Sequence, residues 1–360
     1  MESVVNENFY TNYKNKKVFV TGHTGFKGSW LITWLTMLGA QVKGYALAPQ
    51  NKKDIYNTVA KNIAIESVLA DVRDSKRLKE ELLAFEPDFI FHLAAQPLVL
   101  YGYKNPIETF EVNTMGTAHL LEAVRSLTKK CTVVLITTDK VYKNIEKDYA
   151  SVEDDKLGGY DPYSASKAAA EIVIDCYKNS YFNSDQFSHH QKAIVSVRAG
   201  NVIGGGDFNV DRLVPDIVRA LKNNETILLR NPDAVRPWQH VLEPLNGYLL
   251  LGVLANNDGL KYAGAYNFGP EIDDHLTVKE LVEMAIKNWG SGNWKDISDA
   301  NQPHEAGLLQ LNINRAKNQL GWQPKLNSQQ AIEWTIDWYK KSEQEIFDFS
   351  IKQISDYQAA

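Results

Sequence analysis

Two side chains four residues apart carry the first chemical signal. In Pro162-Tyr163-Ser164-Ala165-Ser166-Lys167, a helical turn would set the Tyr163 phenol and the Lys167 ammonium on one face. A phenol ionises near about 10 and is a poor base at neutral pH. A nearby ammonium favours the phenolate, so such a pair can take a proton from an alcohol. The same spacing also fits a tyrosine and a lysine on a solvated helix face. A second group lies about one connection upstream, in Thr137-Thr138-Asp139-Lys140-Val141-Tyr142. It follows an apolar run, so Thr138 falls at the C-terminal edge of a strand, where open α/β sheets bind ligands. The Thr138 hydroxyl can hydrogen-bond a substrate hydroxyl. Asp139 can give or accept a proton if its surroundings tune it.

A third stretch is a glycine-rich turn. Val18-Phe19-Val20-Thr21 enters it, Gly22-x-x-Gly25-x-x-Gly28 makes it, and a helical run from Trp30 to Leu38 leaves it. Such a turn lets backbone approach a phosphate, and the following helix N-terminus offers free N–H groups to it. A P-loop needs Gly-Lys-Ser/Thr, whereas the order here is Lys27-Gly28-Ser29, so that match fails. A dinucleotide site needs three glycines, and three are present, although spaced GxxGxxG and not GxGxxG. An ordinary strand-to-helix turn is the alternative.

The elements that must hold these groups alternate along the chain. Apolar strand candidates are Gln41–Leu47, Ile63–Leu69, Phe89–Ala95, Thr132–Thr137 and Ala193–Arg198. Helical runs lie at Ser75–Phe85, Pro106–Arg125, Tyr163–Tyr177 and Leu213–Leu221. Apolar strands without alternation are covered on both faces. Strand and helix at this interval predict an α/β fold, a Rossmann-type doubly wound parallel sheet. Residues 1–16 read as a polar arm. Residues 1–197 are expected to form the dinucleotide-binding domain, with 242–268 returning to it. Residues 198–241 and 269–360 are expected to form a smaller, mostly C-terminal substrate-binding lobe.

Bulk properties narrow the partners. The chain has 360 residues and a net charge of −5, which argues against nucleic acid and anionic membranes. Cys131 and Cys176 are the two cysteines, and both read as small core residues. His23, His92 and His240 have no metal-ligand spacing, and each reads as packed or hydrogen-bonded. No apolar leader opens the chain, and its longest apolar run, Tyr248–Ala255, is too short to span a bilayer. A cytoplasmic location is expected.

Gly22-x-x-Gly25-x-x-Gly28, Leu93-Ala94-Ala95, Thr138 and Tyr163-x-x-x-Lys167, in that order, resemble the extended short-chain dehydrogenase/reductases over most of the chain. Four strings narrow the resemblance to the nucleotide-sugar 4,6-dehydratases, and within them to the branch acting on CDP-glucose. They are Gly22-His23-Thr24-Gly25-Phe26-Lys27-Gly28-Ser29-Trp30, Thr137-Thr138-Asp139-Lys140-Val141-Tyr142, Arg198-Ala199-Gly200-Asn201-Val202-Ile203-Gly204-Gly205-Gly206-Asp207 and Arg236-Pro237-Trp238-Gln239-His240-Val241.

The resemblance implies NAD as cofactor and a reaction in deoxysugar biosynthesis. Tyr163, with Lys167 and Thr138, would take the C4 hydroxyl proton as hydride leaves. The 4-keto group then acidifies C5, water is lost across C5 and C6 with Asp139 as acid, and hydride returns to C6. The cofactor would lie against Gly22, Thr24, Gly25, Phe26, Lys27, Gly28, Asp71, Val72, Leu93, Ala94, Ala95, Tyr163 and Lys167. Gln96, Asn201, Arg212, Arg236 and His240 would meet the nucleotide sugar, and no metal is implied. Relatives often dimerise through the helix of Tyr163, so a homodimer or homotetramer is expected, and Ala165–Ala170 would permit close helix packing.

Two departures stand out. Many relatives carry glutamate next to the aspartate, assigned to C5 proton abstraction, and this chain has Lys140. Lysine fits the CDP-sugar branch, and proton abstraction and stabilisation of enolate charge are both open to it. The second strand ends Tyr45-Ala46-Leu47-Ala48-Pro49 without the acid that usually holds a ribose, and Lys52 and Lys53 could tolerate a 2′-phosphate. Asp71 fits either an adenine contact or a turn cap. Trp238 could stack on a base or fill the lobe interface. A 4-epimerase, a dehydratase for another nucleotide sugar, and a non-catalytic dinucleotide-binding protein are the alternatives. Asp139 argues against an epimerase, which needs no acid to expel a C6 hydroxyl.

Overall fold

A computed structural model describes residues 9–143, 148–299 and 309–360. Its centre is a seven-stranded sheet, parallel throughout. The strands are β1 (Lys17–Thr21), β2 (Gln41–Ala46), β3 (Glu66–Leu69), β4 (Phe89–His92), β5 (Cys131–Ile136), β6 (Lys192–Ala199) and a last strand, Gly264–Phe268. From one edge the order is Gly264–Phe268, β6, β5, β4, β1, β2, β3. The order therefore reverses between β1 and β4, the place where doubly wound sheets open a crevice.

The strands form where apolar residues run without a break. Every residue of β4, β5 and β6 is buried. One apolar cluster on one face holds Leu78, Leu82, Leu120, Val124 and Ile174. The other face carries a larger cluster, from Trp30 and Trp34 through Leu249 to Trp338 and Tyr357 near the C-terminus. The Leu242–Asn257 helix lies inside this second cluster, with 13 of its 16 residues buried. It contains the longest apolar run, and no helix among the described residues is long and apolar enough to cross a membrane.

Several boundaries differ from the sequence expectation for identifiable reasons. The fourth strand stops at His92: the Leu93 N–H makes the last ladder bond, to the Thr21 carbonyl, and the Ala94 N–H turns instead to the Thr21 hydroxyl. Leu93-Ala94-Ala95 thereby leaves the ladder and crosses the glycine turn. The helical run towards Arg125 starts early, at Val99–Lys104, and resumes at Pro106, whose ring has no N–H to continue a ladder. It then widens to a π turn at Glu111–Met115 before Gly116–Arg125. The expected loop at 231–238 contains a short strand, Val235–Arg236, antiparallel to Leu276–Thr277. Of the expected arm, residues 1–8 lie outside the described residues, and the rest is anchored. The Tyr13 hydroxyl donates to the Leu249 carbonyl at 2.7 Å, and Tyr10 to Asn246 at 2.7 Å.

The glycines of the first turn divide between two duties. Gly22 has φ +75°, and a Cβ there would stand 2.7 Å from the Ala94 nitrogen. A Cβ on Gly28 would stand 2.1 Å from the Gly22 carbonyl oxygen. These two positions are closed by the protein's own backbone. At Gly25 the nearest atom would be 3.4 Å away, and its φ is −79°. Gly28→Ala should therefore cost about 3 kcal/mol in urea unfolding, the upper end of overpacking costs. Gly25→Ala should cost under about 1 kcal/mol. Equal losses for the two would contradict this division.

Candidate active site

The cofactor half is built from strand ends and the first turn. The Phe26–Met37 helix begins at Gly25 with no side chain capping it, so its free N–H groups stay available to an anion. Thr24 donates to the Leu47 carbonyl at 2.8 Å, which ties the turn to the end of β2. His23 is packed, not ligating. Its Nε2 pairs with the Ser67 hydroxyl at 2.7 Å, and its ring fills the space that a Cβ on Gly44 would need. Beneath the turn, Thr21 and His92 pair at 2.8 Å, and the other His92 nitrogen meets the Thr117 hydroxyl at 3.2 Å. An uncapped helix start, an open Gly25 and two glycines closed by backbone make a cradle that fits a pyrophosphate.

Beyond β2 the cleft wall is Leu47, Ala48, Pro49 and Gln50, followed by Asp54. Lys52 and Lys53 stand outside that wall. Asp71 lines the cleft but is committed to Arg73, with contacts of 3.1, 3.0 and 2.6 Å. Those bonds hold its carboxyl below the usual range. The Arg73 N–H also donates to Asp71 at 2.8 Å, a local turn, while the helix cap is Asp74. Arg73 itself was not singled out by sequence; the Asp-x-Arg spacing was its only trace.

The catalytic strip follows β5. Thr138 donates to Asp139 Oδ1 at 2.9 Å and is hydrogen-bonded to Tyr163. Asp139 is 4% exposed, and its Oδ2 is buried without a partner. Lys140 Nζ lies 3.7 Å from Asp139 Oδ1 and 3.5 Å from Asn201 Oδ1. Tyr163 opens the Pro162–Ser180 helix, and Lys167 donates to the Ile136 carbonyl at 3.0 Å.

The expected lowering of the Tyr163 phenol is not found in the ligand-free chain. Burial pushes it up to about 12, against the Thr138 hydrogen bond and the Arg212 charge. Burial also brings Lys167 down to about 8, with Glu171 acting the other way. Lys27 falls to about 7, through burial and the nearby charges of Arg212 and Lys167, opposed by Asp139. Arg212 and Lys167 thus discourage charge on Lys27, and three cationic side chains facing one space mark a site for an anion.

The substrate half closes the cleft. Arg212 is braced by Asp207 at 3.1 Å, and Arg236 donates to the Val235 carbonyl at 2.9 Å. The Gln96 amide is largely used by the protein. Its oxygen accepts from the Leu98 N–H at 2.6 Å, and its nitrogen donates to Thr109 at 2.9 Å. Trp238 is buried in the larger apolar cluster and also borders the cleft, and its indole nitrogen has no partner.

Every expected cofactor and substrate residue lines this one cleft except His240. That expectation is corrected: the His240 ring is fully buried, with ring centroids 6.2 Å from Trp30 and 5.7 Å from Trp334. It is the second residue of a short strand, Gln239–His240, paired with Val202–Ile203 and buried at both positions. The cleft has a volume of about 1470 Å³, beyond the usual single-ligand range of about 300–1,000 Å³ and large enough for a dinucleotide and a second ligand together. Among the described residues there is no cluster of His, Cys, Asp or Glu able to hold a metal.

The sequence pattern of the family described as GDP-mannose 4,6 dehydratase matches residues 19–335. The chain is 44% identical over 359 residues to CDP-glucose 4,6-dehydratase of Salmonella typhimurium, with 99% of each chain covered. Among solved structures it resembles dTDP-glucose 4,6-dehydratase DesIV of Streptomyces venezuelae, solved with NAD bound. The TM-score there is 0.78 at 23% identity, over 92% of this chain and 99% of that one. It also resembles epimerase Mth375 of Methanothermobacter thermautotrophicus, with TM-score 0.80 at 22% identity, over 96% and 97%.

The three buried histidines give this region a pH dependence. Burial holds His23 at about 4 and His92 and His240 at about 3, against about 6.5 when unfolded. They are neutral in the fold, so their contribution is complete above about 6.5 and is lost as pH falls towards 4 and 3. At pH 5.5 each should cost about 1.4 kcal/mol of stability, about 4 together. Burial raises the Glu243 carboxyl to about 7, which offsets part of that loss over the same range, so the test is a difference: urea unfolding at pH 7 and 5.5 should show a pH-dependent loss about 1.4 kcal/mol smaller in His240→Leu than in the parent. An unchanged pH slope in the variant would refute it.

Proposed function

Because the chain belongs to the GDP-mannose 4,6-dehydratase family, we propose that this nucleotide-sugar 4,6-dehydratase acts on CDP-D-glucose with NAD as cofactor. The product is CDP-4-dehydro-6-deoxy-D-glucose. The relative at 44% identity supports the cytidine base, and the NAD-bound dehydratase neighbour supports the cofactor. A wall with Asp54 inside it and both lysines outside it disfavours a 2′-phosphate, which agrees with NAD. Residues 1–197 and 242–268 are assigned to the cofactor side, and 198–241 and 269–360 to the nucleotide-sugar side.

The observation that carries the reading is Asp139 Oδ2, a buried carboxylate oxygen without a partner beside Thr138 and Tyr163. It calls for a hydrogen-bond partner from the cleft, and a C6 hydroxyl oxygen, to which a protonated Asp139 would donate, answers that need. Bound NAD would take the C4 hydride and return it to C6, leaving no net redox change. Tyr163 would take the C4 hydroxyl proton as a phenolate, the form that the positive charges of Lys167 and of bound NAD would favour against its burial, while Thr138 holds that oxygen. Lys167 supplies the adjacent positive charge. Asp139, in its protonated form, gives that proton to the C6 hydroxyl, which leaves as water, and the C5 proton passes to a base, for which the neutral amine of Lys140 beside Asp139 is at hand. Lys140, touching both Asp139 and Asn201, is also assigned to stabilise charge on the keto sugar. Arg212 and Arg236 meet the diphosphate.

Purified enzyme given a panel of nucleoside diphosphate sugars without reductant should remove one water from CDP-glucose. Asp139→Asn should slow water loss by about 10²–10⁴-fold yet still form the reduced cofactor. An epimerised product of unchanged mass, or loss of all hydride transfer in folded Asp139→Asn, would refute the assignment.

We also infer that a second copy covers the exposed Ile107, Phe110, Met115 and Ile172, which lie on neighbouring packed elements. Light scattering should give a dimer or tetramer, and Ile172→Arg should give monomers. A monomeric parent protein would refute this.

A further inference from the structure

The helix that carries Tyr163 and Lys167 presents a third ionisable residue one turn further on. We propose that Glu171 is a positioning residue of this dehydratase: its buried carboxylate keeps Lys167 charged and clamps the Thr138–Lys140 strip to the Tyr163–Lys167 helix. Residues 163, 167 and 171 share one helix face at intervals of four. All three side chains are buried. This inference rests on the acid–base role given to Tyr163 and Lys167.

The clamp has two arms. Glu171 Oε1 accepts from the Thr137 hydroxyl at 2.5 Å, one residue before Thr138. Glu171 Oε2 accepts from Ser196 at 3.0 Å and from Arg198 Nη2 at 2.8 Å. Arg198 Nη1 then reaches the Tyr142 hydroxyl at 2.9 Å and the Glu153 carbonyl at 2.8 Å. Tyr142 donates onward to Asn267 at 2.6 Å. One carboxylate therefore grips the strip on both sides, at residue 137 directly and at residue 142 through Arg198. The catalytic residues 138–140 lie between the grips.

The electrostatic arm is equally specific. The charged and titratable groups around Lys167 are Tyr163 and Glu171 on its own helix, His92 at the end of β4, Asp139 after β5, Lys27 on the first helix and Arg212 across the cleft. Arg198, Tyr142 and Glu153 lie behind Glu171. Burial opposes charge on Lys167, and the carboxylate that acts against burial there is Glu171. Burial would raise Glu171 itself, but Arg198, Thr137 and Ser196 overcome this and hold it low, so it stays ionised.

Without that charge, Lys167 loses its proton at a lower pH. An opposite charge nearby is worth about one to three pH units. The test is Glu171→Gln, which preserves the shape and an acceptor for Thr137. In ligand-free enzyme with ¹³C-labelled lysine, the Lys167 resonance, assigned with Lys167→Met, should titrate about one unit or more lower in Glu171→Gln. The alkaline limb of kcat/KM with CDP-glucose should move the same way. A Lys167 midpoint at its parent value would overturn the proposal. Should Glu171→Gln fold poorly because Arg198 is left unpaired, Glu171→Gln with Arg198→Met removes both buried charges together. Its Lys167 midpoint must also be lowered, and a parent-like midpoint overturns the proposal. Failure of CDP-glucose turnover in the parent enzyme would refute the substrate, while the NMR titration would still decide the role of Glu171.

Discussion

The pairing of β1 with β4 sets everything that follows. Thr21 sits opposite His92 in the register, and their side chains are joined at 2.8 Å. Both strands end there, and the two chains part. One enters the glycine turn and a helix on one face, while the other passes over that turn through Leu93 and Ala94. A Cβ at Gly22 would strike Ala94, so the parting depends on a glycine at that place. The crevice exists because adjacent strands lead to opposite faces, and the Thr21–His92–Thr117 chain of hydrogen bonds seals its floor.

Charge within the crevice is arranged against itself. Lys27, Lys167 and Arg212 face one space; burial makes both lysines give up protons more readily than they would in water, and at Lys27 the other two charges add to it. Carboxylates near them are already engaged: Asp207 braces Arg212, and one oxygen of Asp139 serves Thr138. A protein alone gains nothing from such an arrangement. A dinucleotide and a nucleotide diphosphate bring opposite charge, so relief of this repulsion adds to their binding.

Much of this was legible in sequence because it is periodic or short-range. Apolar runs located the strands, and three glycines with Tyr163-x-x-x-Lys167 located both edges of the site. Other features depend on folded distances. The bracing of Arg212 by Asp207, and the grip of Glu171 on Thr137, Ser196 and Arg198, join residues whose spacing carries no signature. His240 shows the reverse error, since membership in a motif says nothing about which way a side chain points. The loop at 231–238 hid a two-residue strand because pairing with Leu276–Thr277 is a long-range event. The ionisation of Tyr163 was misjudged for a similar reason: helical spacing shows its neighbour, whereas burial depends on the whole fold.

The larger apolar cluster runs without interruption from Trp34 beside the sheet to Trp338 and Tyr357 near the C-terminus. Halves that share one interior cannot swing apart without exposing it, so the cleft has no hinge of the kind that separates independent domains. Traffic must pass through the mouth, past side chains and loops. For a catalyst whose cofactor ends each cycle in the state in which it began, this is a suitable kinetic design: the small substrate exchanges every turnover, and the dinucleotide has no need to leave.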